Sequence, residues 1–225
     1  MQLSSPVRQT PLVMQVAGQF RDLIEAGTWP VGAKIPGEVV LAGELGVSRG
    51  TVREALRALS LTGLLEPRVG DGTYVRATNE ITGVLVRDEL SALTTVLDTR
   101  AGLEAASARL AAAHATPADL ADLAAALHTR SVAHDAGDRP GYIAADLAFH
   151  RGVVRASGNP LLLRLYDAVA EVVTRSIEDT AFFPEDPGVR DSHDRLLRAI
   201  RDGDRDGAAA TSYCLIESVK STIAR

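Results

Sequence analysis

Apolar residues recur with a helical period along most of the chain. Near the N-terminus they fall at spacings of three and four, which places them on one helical face: Val13, Val16, Phe20, Leu23 and Ile24. Gly27 ends this pattern, and the prolines and glycines of TWPVGAKIPGE follow it as turn residues. We therefore predict a first helix over about residues 11–27 and a turn after it.

Two short helices are predicted next. The second helix spans EVVLAGEL and closes at Gly46, and Ser48 is placed to cap a third helix that starts at Arg49. Along the third helix one face is apolar, whereas Arg49, Arg53 and Arg57 share a different face. Two helices joined by a tight turn, with exposed basic residues on the second, are typical of a helix-turn-helix.

The segment LLEPRVGDGTYV predicts a β-hairpin directly after the third helix. Strand-favouring residues flank a glycine turn that has Gly70 and Gly72 at its tip and Arg68 beside it. A hairpin in this place would act as the wing of a winged helix-turn-helix and lie along a DNA groove or backbone. Asp71 at the tip would repel phosphates unless its side chain turns away, so we expect backbone amides to make the wing contacts.

From residue 84 onward every long segment has a helical period. Breaks that contain proline or glycine divide it into six or seven helices and lie near residues 116, 137, 157 and 183. Short loops make neighbouring helices antiparallel, so an all-α bundle is expected. The predicted fold is mainly α: a winged helix-turn-helix of three helices and a β-hairpin over residues 1–76, a polar linker over 77–83, and an antiparallel helical bundle over 84–225.

Composition and charge change this picture only locally. Of the 225 residues 46% are apolar and 4% are aromatic, which favours packed helices. The net charge of -5 does not indicate a polyanion-binding chain, yet residues 46–76 carry five basic and three acidic side chains. Cys214 is the only cysteine, which excludes an internal disulfide and a thiolate metal cluster.

Targeting signals are not evident in the sequence. MQLSSPVRQT lacks the apolar core of a signal peptide, and no apolar run reaches the roughly 18 residues that a membrane span needs. We therefore expect a cytoplasmic protein with no membrane partner.

The residues around the start of the third helix are candidates for DNA contacts. Arg49 and Arg53 suit guanine edges or phosphates, and we expect both guanidinium groups to stand free of the folded domain. The hydroxyls of Ser48 and Thr51 suit phosphates, and Gly50 permits a close approach to DNA. A solvated helix face would carry the same arginines, but the cap, the turn and the hairpin around them favour DNA binding. The predicted DNA-binding residues are Ser48, Arg49, Gly50, Thr51, Arg53, Arg68, Gly70 and Gly72.

Asp146 and His150 in DLAFH are candidate metal ligands. They lie four residues apart, so on a helix their side chains project from one face, and His193 on a later helix offers a third ligand. A carboxylate with two imidazoles suits zinc, nickel or manganese without distinguishing among them. A surface pair that binds nothing is the alternative at this spacing.

One stretch of the chain is distinctive enough to indicate a family. GVSRGTVREALRALSLTGLLEPRVGDGTYV closely resembles the winged helix-turn-helix of GntR-type bacterial transcription regulators. Residues 85–223 are similar to the helical, FCD-type effector domain of the FadR subfamily, so the resemblance covers nearly the whole chain.

The resemblance implies a sequence-specific, DNA-binding transcription regulator, which we expect to be a repressor. Its affinity for the operator would be modulated by a small metabolite, an organic acid as in similar regulators. Two recognition helices one duplex turn apart read a palindromic operator, so a homodimer is expected.

The chain departs from this family at the entry to the second helix. IPGEV places Gly37 where the family usually has a capping serine, and Val39 where it commonly has a phosphate-binding arginine. We expect the DNA contact of that arginine to be lost.

The resemblance also bears on the metal site. The FCD-type metal centre has an aspartate and a histidine four residues apart, a histidine at the place of His193, and another on the last helix, where this chain has Leu215. Two outcomes stay open. One is a weakened divalent metal site completed by water or by the effector, and the other is a cavity that holds an organic ligand without metal.

Arg100 and Asn159 match family residues near the same pocket and are the predicted effector-binding residues. The guanidinium fork of Arg100 suits a carboxylate, although a surface pair with Glu104 one turn later is the alternative. Asn159 is also explained as a helix cap before Pro160.

Two other functions are weighed against a regulated repressor. A constitutive DNA-binding protein would use the helical domain as structure alone. A metal-dependent enzyme would be built on Asp146, His150 and His193, but the sequence lacks a paired metal-helix signature with a glutamate base, a nucleophile elbow and a phosphate loop. We therefore expect no enzymatic activity.

Overall fold

The computed structural model describes residues 10–87, 93–178 and 187–223, and it divides the chain into two compact units, Met1–Glu89 and Leu90–Arg225. The first unit holds α1 (Leu12–Glu25), α2 (Glu38–Leu45), α3 (Arg49–Leu61), β1 (Leu65–Arg68), β2 (Gly72–Val75) and α4 (Glu80–Arg87). The second unit holds α5 (Leu93–His114), α6 (Pro117–Asp135), α7 (Arg139–Ala156), α8 (Pro160–Glu178), α9 (Pro187–Arg201) and α10 (Arg205–Ile223). The predicted mainly α fold with an N-terminal winged helix-turn-helix is confirmed.

The first unit is built around one apolar core. The apolar stripe of α3 is buried against α1 and the hairpin, as its periodicity predicts; it consists of Val52, Ala55, Leu56 and Leu59. Phe20 of α1 and Trp29 pack together in the same core, with ring centroids 5.3 Å apart. Because this stripe turns inward, the opposite face of α3 is left at the surface.

The hairpin follows α3 in the predicted position. Its two strands are antiparallel, with Leu65 opposite Val75 and Arg68 opposite Gly72. At the tip Gly70 has a φ of +76°, a left-handed conformation that favours glycine. An isolated bridge between Lys34 and Tyr74 ties the segment before α2 to the second strand.

The fourth helix begins inside the segment that we predicted as a linker over residues 77–83. The side-chain oxygen of Asn79 accepts a hydrogen bond from the Thr82 amide at 3.0 Å and so caps the first turn of α4. The backbone of Gly83 lies against the end of α3, and a Cβ added there would stand 2.4 Å from the Thr62 carbonyl oxygen. This close approach is a tertiary contact, which the polar composition of the segment did not indicate.

The second unit is a bundle of six helices within the described residues, in the range that the chain breaks predicted. Helix α5 is central and contacts α7, α8, α9 and α10, while α6 packs on α7 and α9. The interior also holds ionisable groups from five of these helices: Arg100 and Glu104 on α5, Arg130 on α6, His150 on α7, Tyr166 on α8 and His193 on α9.

Within the described ranges, no helix is both long and apolar enough to cross a bilayer.

Candidate DNA interface and candidate metal centre

The start of α3 presents Ser48, Arg49, Gly50 and Arg53 at the surface, with Thr51 half-buried beside them. The Ser48 hydroxyl accepts a hydrogen bond from the Thr51 amide at 3.1 Å, and the two hydroxyl oxygens lie 2.9 Å apart. One hydroxyl proton is used between them, so the pair keeps a second proton to donate. A Cβ added at Gly50 would meet only the Ser48 oxygen, at an ordinary 3.7 Å, so the fold itself does not require glycine there.

The two arginines differ, and the expectation that both guanidinium groups stand free is wrong for Arg53. Its Nε donates to both carboxylate oxygens of Glu38, at 3.0 and 3.2 Å, and its Nη2 donates to one of them at 2.7 Å. Hydrogen bonding to Arg53 holds the pKa of the Glu38 carboxyl below its usual value, so the pair is ionic. Arg49 is exposed and has no ion-pair partner among the described residues.

The wing holds its charged residues in pairs. Asp71 accepts hydrogen bonds from Lys34 at 2.9 Å and from the Tyr74 hydroxyl at 2.6 Å, and these bonds, the one from Tyr74 foremost, lower the pKa of Asp71. Its negative charge is thus compensated within the unit, which reduces the repulsion of a phosphate at the tip. Arg68 pairs with Glu66 at 3.3 Å, and its guanidinium carbon lies 4.1 Å from the Tyr74 ring centroid.

A surface cleft of about 430 Å³ lies among the start of α2, α3 and the hairpin. Lys34, Glu38, Arg53, Arg57 and Asp71 line it, together with apolar and backbone atoms. The positions that depart from the family lie beside it: Gly37 caps α2 without a side-chain hydrogen bond, and Val39 is 62% exposed. Sequence reasoning missed Lys34 and Glu38, because no local signal connects either residue to its partner.

In the bundle, Asp146, His150 and His193 converge on one point. His150 Nε2 lies 3.3 Å from His193 Nε2 and 3.7 Å from Asp146 Oδ2, and His193 Nε2 lies 3.3 Å from Asp146 Oδ1. Both histidines are buried, whereas the Asp146 side chain keeps 25% of its surface exposed. The three residues that the sequence singled out are therefore neighbours in space.

These distances fit one divalent ion. Around a tetrahedral ion with bonds of about 2.1 Å, ligand atoms stand roughly 3.4 Å apart. The separations between the two histidine nitrogens and between His193 Nε2 and Asp146 Oδ1, 3.3 Å each, lie close to that value, while the separation of 3.7 Å involves the other carboxylate oxygen of Asp146. Nitrogen and carboxylate oxygen are the donor types that zinc, nickel and manganese accept.

Glu104 sets the orientation of His150. Glu104 Oε2 lies 2.6 Å from His150 Nδ1 in the interior. Burial opposes ionisation of Glu104, but the positive charge of Arg100 and the hydrogen bonds from Arg100 and His150 outweigh it and hold the pKa of that carboxyl below its usual value. A carboxylate can only accept, so His150 donates through Nδ1 and directs the lone pair of Nε2 at Asp146 and His193. Burial lowers the pKa of His150, which keeps the imidazole neutral.

Arg100 pairs with Glu104 as its spacing allows, yet the pair is buried and not at the surface. Among the described residues, Arg100 Nη2 and the Tyr166 hydroxyl are buried side-chain atoms with no hydrogen-bond partner. Burial, together with the negative charges of Glu104 and Asp146, raises the pKa of Tyr166 against the opposing charge of Arg100, so its hydroxyl stays protonated and able to donate. Sequence reasoning missed Tyr166, which carries no positional signal in an apolar helix.

Arg130 was also missed and is the second buried cation of the site. Its Nε donates to Asp146 Oδ1 at 2.7 Å, and its Nη2 bonds the Tyr142 hydroxyl. Burial opposes ionisation of Asp146, but His150, His193 and Arg130 together hold the pKa of its carboxyl well below the usual range. A cavity of about 300 Å³ borders Arg130 and His193 between α6 and α9.

Leu215 and Asn159 are the two remaining positions that the sequence analysis named for the metal site and the effector pocket. Leu215 is buried in an apolar cluster with Leu97, Ala101 and Ile216 and offers no ligand. The side-chain oxygen of Asn159 accepts hydrogen bonds from the amides of residues 161 and 162, at 3.0 and 3.2 Å, so it caps α8.

Comparisons with known proteins agree on one family. Residues 12–75 match bacterial regulatory proteins of the gntR family, and residues 95–218 match the FCD domain. The chain is 30% identical over 203 residues to the galactonate operon transcriptional repressor of Escherichia coli, covering 85% of this chain and 88% of the relative. It is 30% identical over 214 residues to the HTH-type transcriptional regulator LutR of Bacillus subtilis, covering 89% and 96%.

A solved structure agrees with these matches. The structure of a Streptococcus agalactiae GntR protein aligns with a TM-score of 0.55 and 28% identity, over 93% of this chain and 99% of that one. Family and relatives are regulators of transcription. The chain therefore belongs to the gntR family of bacterial regulatory proteins, with an FCD domain after its helix-turn-helix, and is a DNA-binding transcription regulator and not an enzyme.

Proposed function

We propose that the chain is a homodimeric repressor of a palindromic operator, controlled by a small organic acid that binds in the bundle beside a divalent metal. Asp146, His150 and His193 would hold the metal, and Arg100 and Tyr166 would bind the acid. The observation that carries this proposal is the pair of buried donors, Arg100 Nη2 and the Tyr166 hydroxyl, that have no partner among the described residues.

Buried donors without a partner are unfavourable, and proteins rarely keep them without a reason. A guanidinium N–H and a phenol O–H both donate, so the group that satisfies them accepts hydrogen bonds. A carboxylate does so with a matching charge. One acid group bound to Arg100 and Tyr166 would therefore accept a hydrogen bond from each and remove the free-energy cost of leaving both donors unpaired.

The summed charge of the ionised side chains around the site also favours an anionic ligand. Arg100 and Arg130 carry two positive charges, and Glu104 and Asp146 carry two negative charges, so the ionised side chains cancel. A bound dication would leave the interior with an excess of two positive charges. An anionic effector would offset that excess, and a neutral one would not.

A three-residue ligand set also leaves room for the effector at the metal. Three protein ligands plus water or substrate is the arrangement of an open tetrahedral zinc site, in contrast to a closed structural site with four protein ligands. The apolar side chain of Leu215 keeps the protein contribution at three. When bound, the metal supplies a positive centre for an oxygen of the effector.

The name of one relative supports both the acid and the repression. One relative is the repressor of a galactonate operon, and galactonate is a hydroxylated organic acid. Homodimerisation follows from DNA geometry, since two copies of α3 spaced by one duplex turn match the two halves of a palindrome.

A cavity without metal is the second candidate, and the bond from Arg130 to Asp146 favours it. The guanidinium neutralises the carboxylate in the way that a metal would. In that case Arg100, Arg130 and Tyr166 bind the acid directly.

The test combines melting temperature with operator affinity. Protein stripped with a chelator is melted with galactonate or with neutral galactose, each with and without zinc, nickel or manganese. DNA binding is followed by the fluorescence anisotropy of a duplex from directly upstream of its own coding region. We expect galactonate, and not galactose, to raise the melting temperature and to weaken DNA binding, and both effects to need a metal.

Two variants locate the response. Tyr166→Phe removes only the unpartnered hydroxyl, so it should fold as well as the wild type and respond less to the acid. His193→Ala should lose the metal and with it the response to galactonate, whereas His128→Ala, which changes an exposed histidine that lines the same cavity as His193, should behave as the wild type. A response to galactonate that needs no metal supports the metal-free cavity. If no acid of a wider panel changes either property, the protein is a constitutive DNA binder and the proposal is wrong.

A further inference from the structure

The ion pair between Glu38 and Arg53 joins the first residue of α2 to the DNA-facing side of α3. The Arg53 side chain keeps 58% of its surface exposed, so the pair lies at the surface and is not part of the core. Its carboxylate binds one edge of the guanidinium group, the edge formed by Nε and Nη2. The orientation of the guanidinium plane is thereby set by a residue from another helix.

The opposite edge of Arg53 is left for DNA. A guanidinium has five N–H donors in a fixed fork. Glu38 uses the Nε donor and one donor of Nη2, so two donors of Nη1 and one of Nη2 remain. The outer donors of Nη1 and Nη2 point in parallel, which is the pattern that pairs with O6 and N7 of guanine in the major groove.

We propose that Glu38 is a positioning residue that makes Arg53 a reader of guanine in each half-site of the operator. This inference rests on the DNA-binding function and adds a specific base and a specific side-chain pair to it.

The pair also changes what Arg53 prefers to bind. A free guanidinium is attracted to any phosphate, which gives affinity without sequence information. The carboxylate of Glu38 reduces the net charge of the pair and repels a phosphate that approaches it. A guanine edge carries no formal charge, so the Glu38 carboxylate hardly weakens its binding to Arg53. The match between the guanidinium donors and the guanine acceptors is kept. Preorganisation further favours the one partner that fits the fixed plane.

The other arginines of α3 provide the contrast. Arg49 and Arg57 are exposed and have no ion-pair partner among the described residues. Their side chains can reorient toward phosphates or bases on binding. Arg53 is the arginine of this helix face whose orientation is determined before DNA arrives.

The experiment selects binding sites from a pool of random duplexes with the full-length protein and sequences the bound fraction. Glu38→Gln keeps the shape of the side chain but loses its charge and one acceptor oxygen. Glu54→Gln is the matched control, because Glu54 is an exposed neighbour on α3 that acts on Arg53 through charge alone. Arg53→Lys removes the bidentate fork and keeps the positive charge.

We expect the wild type and Glu54→Gln to enrich guanine at the same positions of each half-site. Glu38→Gln and Arg53→Lys should each lose the enrichment at one shared position, with discrimination against other bases there falling by roughly tenfold or more. The double variant should lose no more at that position than Arg53→Lys alone. Glu38→Gln should also bind a scrambled duplex several-fold more tightly than the wild type, because the repulsion of phosphate is gone.

Three results would overturn the inference. The first is an unchanged preference in Glu38→Gln, and the second is an equal change in Glu54→Gln, which would indicate general charge. The third is a loss in Glu38→Gln with an unchanged preference in Arg53→Lys, which would mean that Glu38 does not act through Arg53. A wild type that enriches no sequence would contradict the DNA-binding function itself, so the two failures are distinct. Melting followed by Trp29 fluorescence checks that every variant keeps a folded first unit.

Discussion

The bundle of this regulator buries some of its charged side chains, whereas the described ion pairs of the DNA-binding unit lie at the surface. In the DNA-binding unit the pairs lie at the surface: Arg53 is 58% exposed, and Lys34 and Asp71 are each 51% exposed. In the bundle Glu104 is fully buried between Arg100 and His150. Exposed pairs contribute little to stability, whereas breaking a buried pair leaves an uncompensated charge in the interior. The pairs of the first unit thus leave donors accessible to DNA, and the interior of the second unit is suited to gaining a ligand.

The largest expected effect comes from breaking the buried set. Glu104→Ala should lower the free energy of unfolding by about 3–5 kcal/mol, because Arg100 and His150 lose the anion between them. Urea denaturation followed by circular dichroism measures it. Trp29 is the only tryptophan and lies in the first unit, so its fluorescence reports that unit separately.

The control is Asp167→Ala, which breaks an exposed pair with Arg151 in the same bundle and should lower the free energy of unfolding by roughly 0–1 kcal/mol. Equal losses in the two variants would contradict the comparison.

A smaller loss of stability is expected from breaking the pair of Arg130 and Asp146, whose carboxylate is partly exposed. Arg130→Met should lower the free energy of unfolding by about 2–3 kcal/mol in the presence of a chelator, less than a fully buried pair, because Asp146 keeps contact with water. A dication can replace the lost positive charge at Asp146. Zinc or manganese should therefore raise the melting temperature of the variant more than that of the wild type. A variant that neither metal stabilises would show that no metal binds beside Asp146, and a variant stabilised only as much as the wild type would show that Arg130 does not compete with the metal.

The DNA-binding unit also depends on a local polar contact whose loss has a moderate cost. Ser48→Ala removes the side-chain cap of α3 and should lower the stability of the first unit by about 1 kcal/mol, as measured by Trp29 fluorescence in urea. Gly50→Ala, two residues later, adds a methyl group at ordinary contact distance and should be neutral or slightly stabilising. A stable Ser48→Ala variant would mean that the cap is redundant.

The smallest effect on stability, with a clear effect on DNA, is expected at the wing. Asp71→Asn should leave folding unchanged and free Lys34 to bind a phosphate. Affinity for a scrambled duplex should rise a few-fold, and the slope of log affinity against log salt should steepen by about 0.9 for one added phosphate contact. Glu25→Gln on α1 makes the same change in net charge and serves as the control. A steeper slope in both variants would indicate net charge and not the Lys34 pair.

Local signals predicted most of the secondary structure and half of the site. Ser48 caps α3 as predicted, and the glycine turn after it forms a hairpin, because caps and turns depend on neighbouring residues. The four-residue spacing of Asp146 and His150 places both on one face of α7 for the same reason. The partner of Arg53 was not predictable, since Glu38 lies 15 residues away on a different helix.

The sequence by itself determined the helices, the hairpin and the family, because periodicity, caps and one distinctive motif are properties of adjacent residues. Only the tertiary structure decided which charges meet. Glu104 reaches His150 across 46 residues, and Arg130 reaches Asp146 across 16. The packing of α5, α6 and α7 creates both contacts, and no pattern within one helix records which neighbour it will face. The same physical reason separates Arg53 from Arg49. They share a helix face and a charge, but in the described part of the chain only Arg53 is hydrogen-bonded to a carboxylate from another helix.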